Sequence, residues 1–370
     1  MFFNQLNYRM TDRVEFTYIN SDTKLKTAVT ELFDAKIIAV DLECENNLHH
    51  YGMYISLIQL STKKSHWIVD VLALDNIDAL IPVFEDSSIE KIFHDVSFDL
   101  RILRHQFKCY PKNIFDSELA ARFLMKENIG LGSLLDEYYG FEKQKKFQMA
   151  DWTKRPLTEE MLSYAIQDTS FLIGLRNHLK DELKAKDLWP WADEEFAFLE
   201  VKELNNKLPS PVDLKGFKQL SNVEKTIVKR LFILREKFAK KVNMPPHFVM
   251  NNRHLFEIAK QPPRSVDDWK KLRGVHPVVK SQAKQFFNEI ILAKNSVEEF
   301  VDVRPKRYSQ EQRDYFSRLG EVRDSLAKKY KLYPHLILSK EQMQYIVVDD
   351  SFSSLRAWQQ TLILPMLRKN

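Results

Sequence analysis

The sequence predicts an α/β domain with a mixed sheet, followed by a mainly helical region. Four short, mainly apolar runs are typical of strands: 37–41, 55–61, 66–70 and 91–94. Three amphipathic stretches predict helices: 22–35, 75–85 and one that begins at about Ser97. Strands interspersed with helices indicate an α/β layer, and short connections favour antiparallel neighbours among the first three strands. Past residue 200 the strand signals fade and helical periodicity takes over.

The chain's 370 residues are enough for two or three domains, and its charge is divided unevenly between the two halves. Residues 1–200 hold 23 Lys+Arg against 33 Asp+Glu, a net charge of −10, whereas residues 201–370 hold 33 against 18, a net charge of +15. This split favours a metal-dependent catalytic unit joined to a polyanion-binding unit. Ordinary solvated surface is the alternative for either half taken alone.

Cysteine content and hydropathy favour a soluble, cytoplasmic protein. The two cysteines, Cys44 and Cys109, show neither metal-type spacing nor a disulfide framework, which is typical of a reducing compartment. The first residues lack a basic segment followed by a long apolar core, so we expect no secretory signal. No apolar run approaches the roughly 20 residues that span a bilayer.

A pair of acids stands where the strand at 37–41 ends. Asp41 and Glu43 are two positions apart, so on a strand their side chains project to the same face. Neighbouring carboxylates repel each other and are costly to desolvate. A Mg²⁺ or Mn²⁺ ion removes that cost because these cations prefer oxygen ligands. Two solvated acids at a surface strand end are the alternative, so a metal site needs further carboxylates.

A third candidate acid lies near the start of the helix predicted from Ser97. Asp99 follows His94 by five residues and lies beside Phe98, the first residue of the apolar stripe of this helix. Its alternative is a purely structural acid, stabilised by the positive end of the helix dipole. Asp116 is a similar helix-start acid, and there we favour the structural interpretation.

A further helix carries the last candidate pair. Thr158 followed by Glu159 and Glu160 is typical of a helix N-terminus, which places Tyr164 and Asp168 one turn apart on one face. The tyrosine phenol could hold or deprotonate a water that is polarised by a cation bound to Asp168. A surface tyrosine packed against its own helix is the alternative.

The loop before that helix combines a large aromatic side chain with two cations. Trp152 could stack a nucleic-acid base, and Lys154 or Arg155 could neutralise a phosphate. The alternatives are that Trp152 anchors the core and that Arg155 forms an ion pair that packs the helix.

Three motifs follow one another along the chain: Asp41-x-Glu43, His94-x4-Asp99 and Tyr164-x3-Asp168. Their order resembles the DEDD superfamily of exonucleases, in the subgroup with a tyrosine in the third motif. The segment Asp151-Trp152…Arg155-Pro156-Leu157 is similar to the ribonuclease D family, and the resemblance covers roughly residues 15–190. Two residues depart from the family pattern, Leu42 in place of a more usual threonine and Asp95 where small residues are usual.

The resemblance implies an RNase H-like (DnaQ-like) α/β fold and a 3′–5′ exoribonuclease that releases 5′-mononucleotides. It implies that four carboxylates bind two divalent ions, Mg²⁺ or Mn²⁺, and that Tyr164 positions the attacking water. These metal ligands are Asp41, Glu43, Asp99 and Asp168. The candidate substrate-binding residues are His94, Trp152, Lys154 and Arg155. The implied substrates are tRNA precursors and other structured RNAs with 3′ tails.

The basic half contains an internal repeat. Two segments align at a constant offset of 88 residues: Leu231…Arg235…Ala239-Lys-Lys241…Pro246 and Leu319…Arg323…Ala327-Lys-Lys329…Pro334. A repeat of this length predicts two copies of one small helical domain, and both copies resemble the HRDC domain. We therefore predict an exonuclease domain at 1–207 and two HRDC-like bundles at 208–295 and 296–370, with a linker turn at 208–212.

Four lysines recur at equivalent positions of the repeat: Lys240, Lys241, Lys328 and Lys329. They suggest a shared electropositive face for nucleic-acid backbone, although for each lysine alone we favour the alternative of a solvated helix surface. We expect a monomer that binds RNA and no membrane. Two other functions stay open: a DNA-directed exonuclease of the same superfamily, as in Werner-type proteins, and a non-hydrolytic RNA-binding scaffold with a decayed active site.

Overall fold

A computed structural model of the chain describes residues 14–141, 146–203, 209–300 and 308–367, which divide into two compact units. The first unit takes the described residues within Met1–Glu43, Ile55–Asn205 and Arg307–Asn370, and the second takes those within Cys44–Tyr54 and Asn206–Lys306. The predicted domain boundaries stay predictions. Leu208 of the predicted linker turn lies outside the described residues, and a short 3-10 helix, Pro211–Asp213, follows it.

A six-stranded mixed sheet forms from described residues, as the sequence predicts. Its strands are β1 (Thr17–Ile19), β2 (Ile37–Asn46), β3 (Met53–Ser61), β4 (His66–Asp70), β5 (Glu90–Phe93) and β6 (Ile114–Asp116). They lie in the order β1-β4-β3-β2-β5-β6. β4 pairs parallel to β1 and antiparallel to β3, while β5 pairs parallel to both β2 and β6. The two strands that the sequence did not predict, β1 and β6, have three residues each, too few for an alternating pattern to emerge.

β2 is a central strand because its apolar run is buried between β3 and β5. Ile38, Ala39 and Val40 have almost no exposed surface. Burying one large aliphatic side chain such as Ile38 contributes about 1.5–3 kcal/mol relative to leaving it exposed. The buried part of β2 therefore fixes the backbone directly before Asp41 and Glu43.

Among the residues described before position 204, the first unit has eight α-helices: α1 (Asp22–Phe33), α2 (Ile81–Glu85), α3 (Ser97–Phe107), α4 (Ser117–Phe123), α5 (Leu131–Tyr139), α6 (Glu159–Ser170), α7 (Leu172–Ala185) and α8 (Trp189–Val201). The helix predicted over 75–85 is wrong in its first half, where turns and bends occur. The Asn76 Oδ1 atom accepts the N–H of Asp78 at 3.0 Å, and such side-chain turns compete with a helix. Pro82 then lies in the first turn of α2, where proline is tolerated.

The second unit is helical: α9 (Asn222–Val242), α10 (Pro246–Val249), α11 (Asn252–Lys260), α12 (Val266–Lys271), α13 (Pro277–Ser281) and α14 (Ala283–Asn295). Its core is aromatic, with the Phe286 ring 5.5 Å from that of Phe238 and 5.2 Å from that of the buried Trp269. Tyr51 packs against this core, and its N–H donates to Asn243 Oδ1 at 3.3 Å. These contacts explain why residues 44–54 belong to the second unit.

Four more helices return to the first unit: α15 (Gln310–Tyr330), α16 (Pro334–Ile337), α17 (Lys340–Asp349) and α18 (Ala357–Leu367). α15 and α18 pack against α8, where the Trp358 ring stacks on Trp191 with 5.0 Å between centroids and 16° between planes. Glu195 of α8 accepts the Trp358 indole N–H at 3.0 Å and an Arg356 N–H at 3.1 Å. The sequence did not predict this packing.

The structure confirms the internal repeat, because α15, α16 and α17 begin 88 residues after α9, α10 and α11. Both long helices have 21 residues and begin in a capping box, at Ser221 and Ser309. Both also end at a left-handed residue, Asn243 or Lys331. The copies differ in that α9 buries ten residues and α15 four. The second copy thus has less of a core of its own.

Within the residues that the structure describes, every helix is too short or too polar to span a bilayer.

Candidate active site

β2 presents the first two acids of the candidate site. The side chains of Asp41 and Glu43 are half-buried where the strand leaves the core, and their spacing puts them on one face of the sheet. Leu42 between them is buried on the opposite face. The leucine that replaces the family's usual threonine therefore lies away from the two carboxylates.

Helix α6 brings a third acid to the same place. It begins at Thr158, as predicted, whose hydroxyl accepts the N–H of Met161 at 3.2 Å. Asp168 is buried on this helix. One ligand oxygen from each of Asp41, Glu43 and Asp168 lies within 4.8 Å of the other two. The structure thus brings the two acids of β2 together with a third that lies more than a hundred positions later in the sequence.

Asp99 joins this cluster through electrostatics. It is buried on the first turn of α3, and burial raises its pKa well above the ordinary value. The negative charges of Asp41, Asp95, Asp116 and Glu43 raise the pKa of Asp99 further. Such a group of acids is stabilised by bound positive charge. Its all-oxygen donor set fits a hard divalent cation of the Mg²⁺ or Mn²⁺ type.

Tyr164 lies on α6 one turn before Asp168 and is held by two aromatic rings. Its ring packs edge-on against Phe147 at 5.5 Å and stacks on Trp152 at 6.2 Å between centroids. Burial raises the pKa of Tyr164, and the charges of Glu43 and Asp41 raise it further. The phenol is therefore protonated at neutral pH and able to donate a hydrogen bond beside the acids.

The substrate-binding candidates occupy different environments. Trp152 is only 4% exposed and packs against Tyr164 in an aromatic cluster. This burial agrees with the alternative in which Trp152 anchors the core. The Lys154 side chain is 77% exposed, with Asp151 3.8 Å away. The ring of His94 is half-buried, and its Nδ1 atom lies 2.9 Å from Ser117 Oγ. The structure thus leaves Lys154 accessible to solvent and places Trp152 in the core.

Arg155 forms an ion pair within the protein, as in the alternative that gives it a structural role. Its Nε and one terminal nitrogen each donate to a carboxylate oxygen of Asp70 at 2.6 Å. Tyr18 also donates a hydrogen bond to Asp70, and the carbonyl of Trp152 accepts from Arg155 at 2.7 Å. This network fixes the loop that carries Trp152, next to Tyr164. Sequence reasoning missed Asp70 because it lies 85 positions before Arg155 and has no motif of its own.

Substitution of Asp70 by Asn should destabilise the first unit by about 2–3 kcal/mol at pH 7, because it leaves the Arg155 guanidinium without its buried counter-charge. Burial opposes ionisation of Asp70, but the hydrogen bonds from Arg155 and Tyr18 outweigh it and lower the pKa of this acid below 3.8. The stabilisation is complete above that unfolded-state value and is lost as the pH falls through the folded value.

Urea unfolding of wild type and Asp70→Asn at pH 7 and near pH 3 would test this prediction. The stability difference should shrink at the lower pH. The control is Asp267→Asn, which removes an exposed pair with Lys270 at 2.9 Å and should change stability little. A difference that is the same at both pH values would contradict the prediction.

Comparison with known proteins assigns families to two parts of the chain. Residues 16–184 match a family model described as 3′-5′ exonuclease, and residues 224–293 match the HRDC domain. Ribonuclease D of Shewanella sp. is 28% identical over 267 residues, which cover 70% of this chain and 68% of that protein. Exosome complex exonuclease RRP6 of Saccharomyces cerevisiae is 28% identical over 292 residues, 74% of this chain. The chain spans only 40% of the length of the yeast protein.

A solved structure matches nearly the whole chain in fold. It is that of Escherichia coli RNase D, with a TM-score of 0.73, 21% identity and coverage of 96% of this chain and 98% of that one. The predicted fold class, an RNase H-like (DnaQ-like) domain with a mixed sheet followed by HRDC-like helical bundles, is thereby confirmed. The chain contains a DnaQ-like 3′–5′ exonuclease domain followed by a helical HRDC region, and its homologues include proteins named ribonuclease D and RRP6.

Proposed function

We propose that this chain is a 3′–5′ exoribonuclease that hydrolyses phosphodiester bonds from RNA 3′ ends and releases 5′-mononucleotides. The observation that carries the proposal is the convergence of Asp41, Glu43 and Asp168, whose ligand oxygens lie within 4.8 Å of one another. The relatives named ribonuclease D and exosome complex exonuclease RRP6 support RNA as the substrate class.

Four carboxylates would hold the catalytic metal: Asp41, Glu43, Asp99 and Asp168. Their mutual repulsion and their all-oxygen chemistry support a pair of divalent cations, Mg²⁺ or Mn²⁺. Bound there, the cations would supply polarisation of the attacking water and charge stabilisation at the leaving 3′ oxygen.

The chain's other residues would orient the reactants. The protonated phenol of Tyr164 would hold the attacking water in line with the scissile phosphate, because Phe147 and Trp152 fix the plane of its ring. Lys154 is exposed and would neutralise a backbone phosphate, and His94 would contact the RNA 3′ end. Trp152 and Arg155 would act indirectly, by holding the loop before α6.

Incubation of the chain with matched RNA and DNA substrates that carry single-stranded 3′ tails would test the function. We expect 5′-mononucleotides from the RNA in the presence of Mg²⁺ or Mn²⁺, and none once EDTA removes the cation. Faster digestion of the DNA tail would favour the DNA-directed alternative. Tight RNA binding without metal-dependent release of mononucleotides would favour the scaffold.

The finer properties are also proposals. The family resemblance supports tRNA precursors and other structured RNAs as substrates, and maturation of their 3′ ends as the role. We further propose that the protein acts as a monomer. We also propose that it acts in the cytoplasm, since its two cysteines fit a reducing compartment.

The basic helical region would bind RNA backbone and make affinity dependent on salt. We expect replacement of four exposed lysines by Gln to weaken binding of a long RNA and to lower the slope of log K against log salt. The reduction should be about 0.7 for each lost contact with single-stranded phosphate. The lysines are Lys240, Lys241, Lys328 and Lys329.

Filter binding at several salt concentrations would measure this slope, and hydrolysis of a dinucleotide should be unaffected. Substitution of the exposed Lys63 and Lys64 in the β3–β4 turn provides the control. An unchanged slope in the four-lysine variant would mean that these lysines only solvate their helices.

A further inference from the structure

Asp116 does more than begin a helix. It ends β6 and is the N-cap of α4, with its Oδ1 atom accepting the N–H of Glu118 at 2.9 Å and that of Leu119 at 3.3 Å. Those two bonds are ordinary helix capping. The side chain is, however, only 4% exposed, and its carboxylate also turns toward a second chain segment.

The second segment is the turn that connects β5 to α3. Oδ1 of Asp116 accepts the N–H of Asp95 at 3.0 Å, and Oδ2 accepts the N–H of Val96 at 3.1 Å. These bonds are possible because β5 and β6 pair in parallel with Phe93 opposite Asp116. One buried carboxylate thus joins the turns that follow two neighbouring strands.

Ser117 contacts the last residue of β5 and the residue that follows it. Its hydroxyl donates to the carbonyl of Phe93 at 2.9 Å and lies 2.9 Å from Nδ1 of His94. Together, Asp116 and Ser117 contact four consecutive residues, 93–96, immediately before α3. His94 and, one helical turn beyond the segment, Asp99 depend on this stretch of backbone for their placement.

The turn needs outside support because its backbone is strained. Asp95 has φ of +58°, a left-handed conformation that is unfavourable for residues other than glycine, although Asp and Asn tolerate it best. Strained conformations persist where their surroundings fix them. Asp116 binds the N–H groups of Asp95 and of the next residue, Val96, whose own side chain has no oxygen to cap α3.

We propose that Asp116 and Ser117 are positioning residues of the active site: Asp116 fixes the turn from which Asp99 reaches the carboxylate cluster, and Ser117 fixes the ring of His94. This inference rests on the proposed function, since Asp99 is taken as a metal ligand. It also explains the place of Asp95, the acid that departs from the family pattern: Asp95 is the left-handed residue whose backbone Asp116 holds.

Substitutions at the two positions should have different effects on Mn²⁺ binding and on KM. In Asp116→Asn the amide oxygen can still cap α4, but the amide N–H₂ must face a backbone N–H, so the turn loses a bond and shifts. We expect the dissociation constant for Mn²⁺ to rise about 10–100-fold, as is typical when a group that orients a metal ligand is lost. In Ser117→Ala we expect unchanged Mn²⁺ binding and a higher KM for the RNA 3′ end.

Mn²⁺ titration of the full-length chain by calorimetry, without RNA, measures the effect independently of turnover. Ser21→Ala removes the N-cap of α1, which accepts the N–H of Lys24, and should leave Mn²⁺ affinity unchanged. Asp95→Gly tests the route of the effect, because glycine adopts a positive φ without strain. In a double-mutant cycle, Asp116→Asn should cost less Mn²⁺ affinity when it is combined with Asp95→Gly than when it is made in wild type.

Equal Mn²⁺ affinity in wild type and a folded Asp116→Asn protein that still hydrolyses RNA would overturn the inference and leave the proposed function standing. If Asp116→Asn does not fold, the inference stands only if Ser117→Ala raises KM without changing Mn²⁺ affinity, and it falls otherwise. A wild-type chain that neither binds Mn²⁺ nor hydrolyses RNA would overturn both the inference and the proposed function.

Discussion

Substitution of Asp41 or Asp168 by Asn is expected to abolish RNA hydrolysis while the fold is retained. Each carboxylate contributes an oxygen to a cluster whose members lie within 4.8 Å of one another. Asn is nearly isosteric but neutral, so it lowers affinity for a divalent cation. Loss of metal-supplied charge stabilisation of several kcal/mol corresponds to a fall in turnover of roughly 10³-fold or more.

Release of 5′-mononucleotides from a labelled RNA in Mg²⁺ would measure this loss. Thermal unfolding should show that the variants remain folded, and removal of one repelling charge should even raise their stability in the absence of metal. Asp181→Asn, an exposed acid on α7, is the matched control and should retain full turnover. Turnover near that of wild type in either active-site variant would remove the assignment of these residues.

Substitution of Trp358 by Ala should destabilise the first unit by about 3–5 kcal/mol, the range for truncation of a large buried aromatic side chain. The Trp358 ring is 5% exposed, stacks on Trp191 and packs edge-on against Phe123 at 6.0 Å. Its loss also removes a hydrogen bond to Glu195. Burial already raises the pKa of Glu195, so loss of the indole donor makes the ionised form of this acid still less favourable.

Urea unfolding followed by circular dichroism would measure this change. Trp358→Phe should fall between wild type and the alanine variant, because it keeps the ring contact but loses the indole donor. Val348→Ala on the neighbouring α17 provides the control, since that side chain is largely exposed. A cost for Trp358→Ala of less than about 1 kcal/mol, the size of an ordinary surface effect, would mean that α18 does not contribute to the stability of the first unit.

Local sequence signals predicted most of the fold because they reflect local physics. The buried run before Asp41 specified β2, and the threonine cap at Thr158 specified the start of α6. The repeat was visible because the same residue types recur 88 positions apart, from Leu231 and Leu319 to Pro246 and Pro334. The helix over 75–85 failed because a side-chain turn at Asn76 competed with helical hydrogen bonds.

Non-local contacts account for what the sequence could not predict. The acids of the site were found because each occupies a recognisable motif, although only the fold shows their convergence. The partners of Arg155 and Asp116 were not found, since neither Asp70 nor the turn at Asp95 stands in a sequence pattern with them. Trp152 illustrates the same limit, because the sequence leaves its two interpretations open and only burial separates them.

The return of α15–α18 to the first unit has a consequence for biosynthesis. The ribosome makes Trp191 more than 150 residues before Trp358, so the aromatic face of α8 emerges long before the chain that covers it. Domains generally fold in the order of their synthesis, and uncovered apolar surface is prone to aggregation. The nascent exonuclease domain would therefore expose this aromatic surface until α15–α18 leave the exit tunnel.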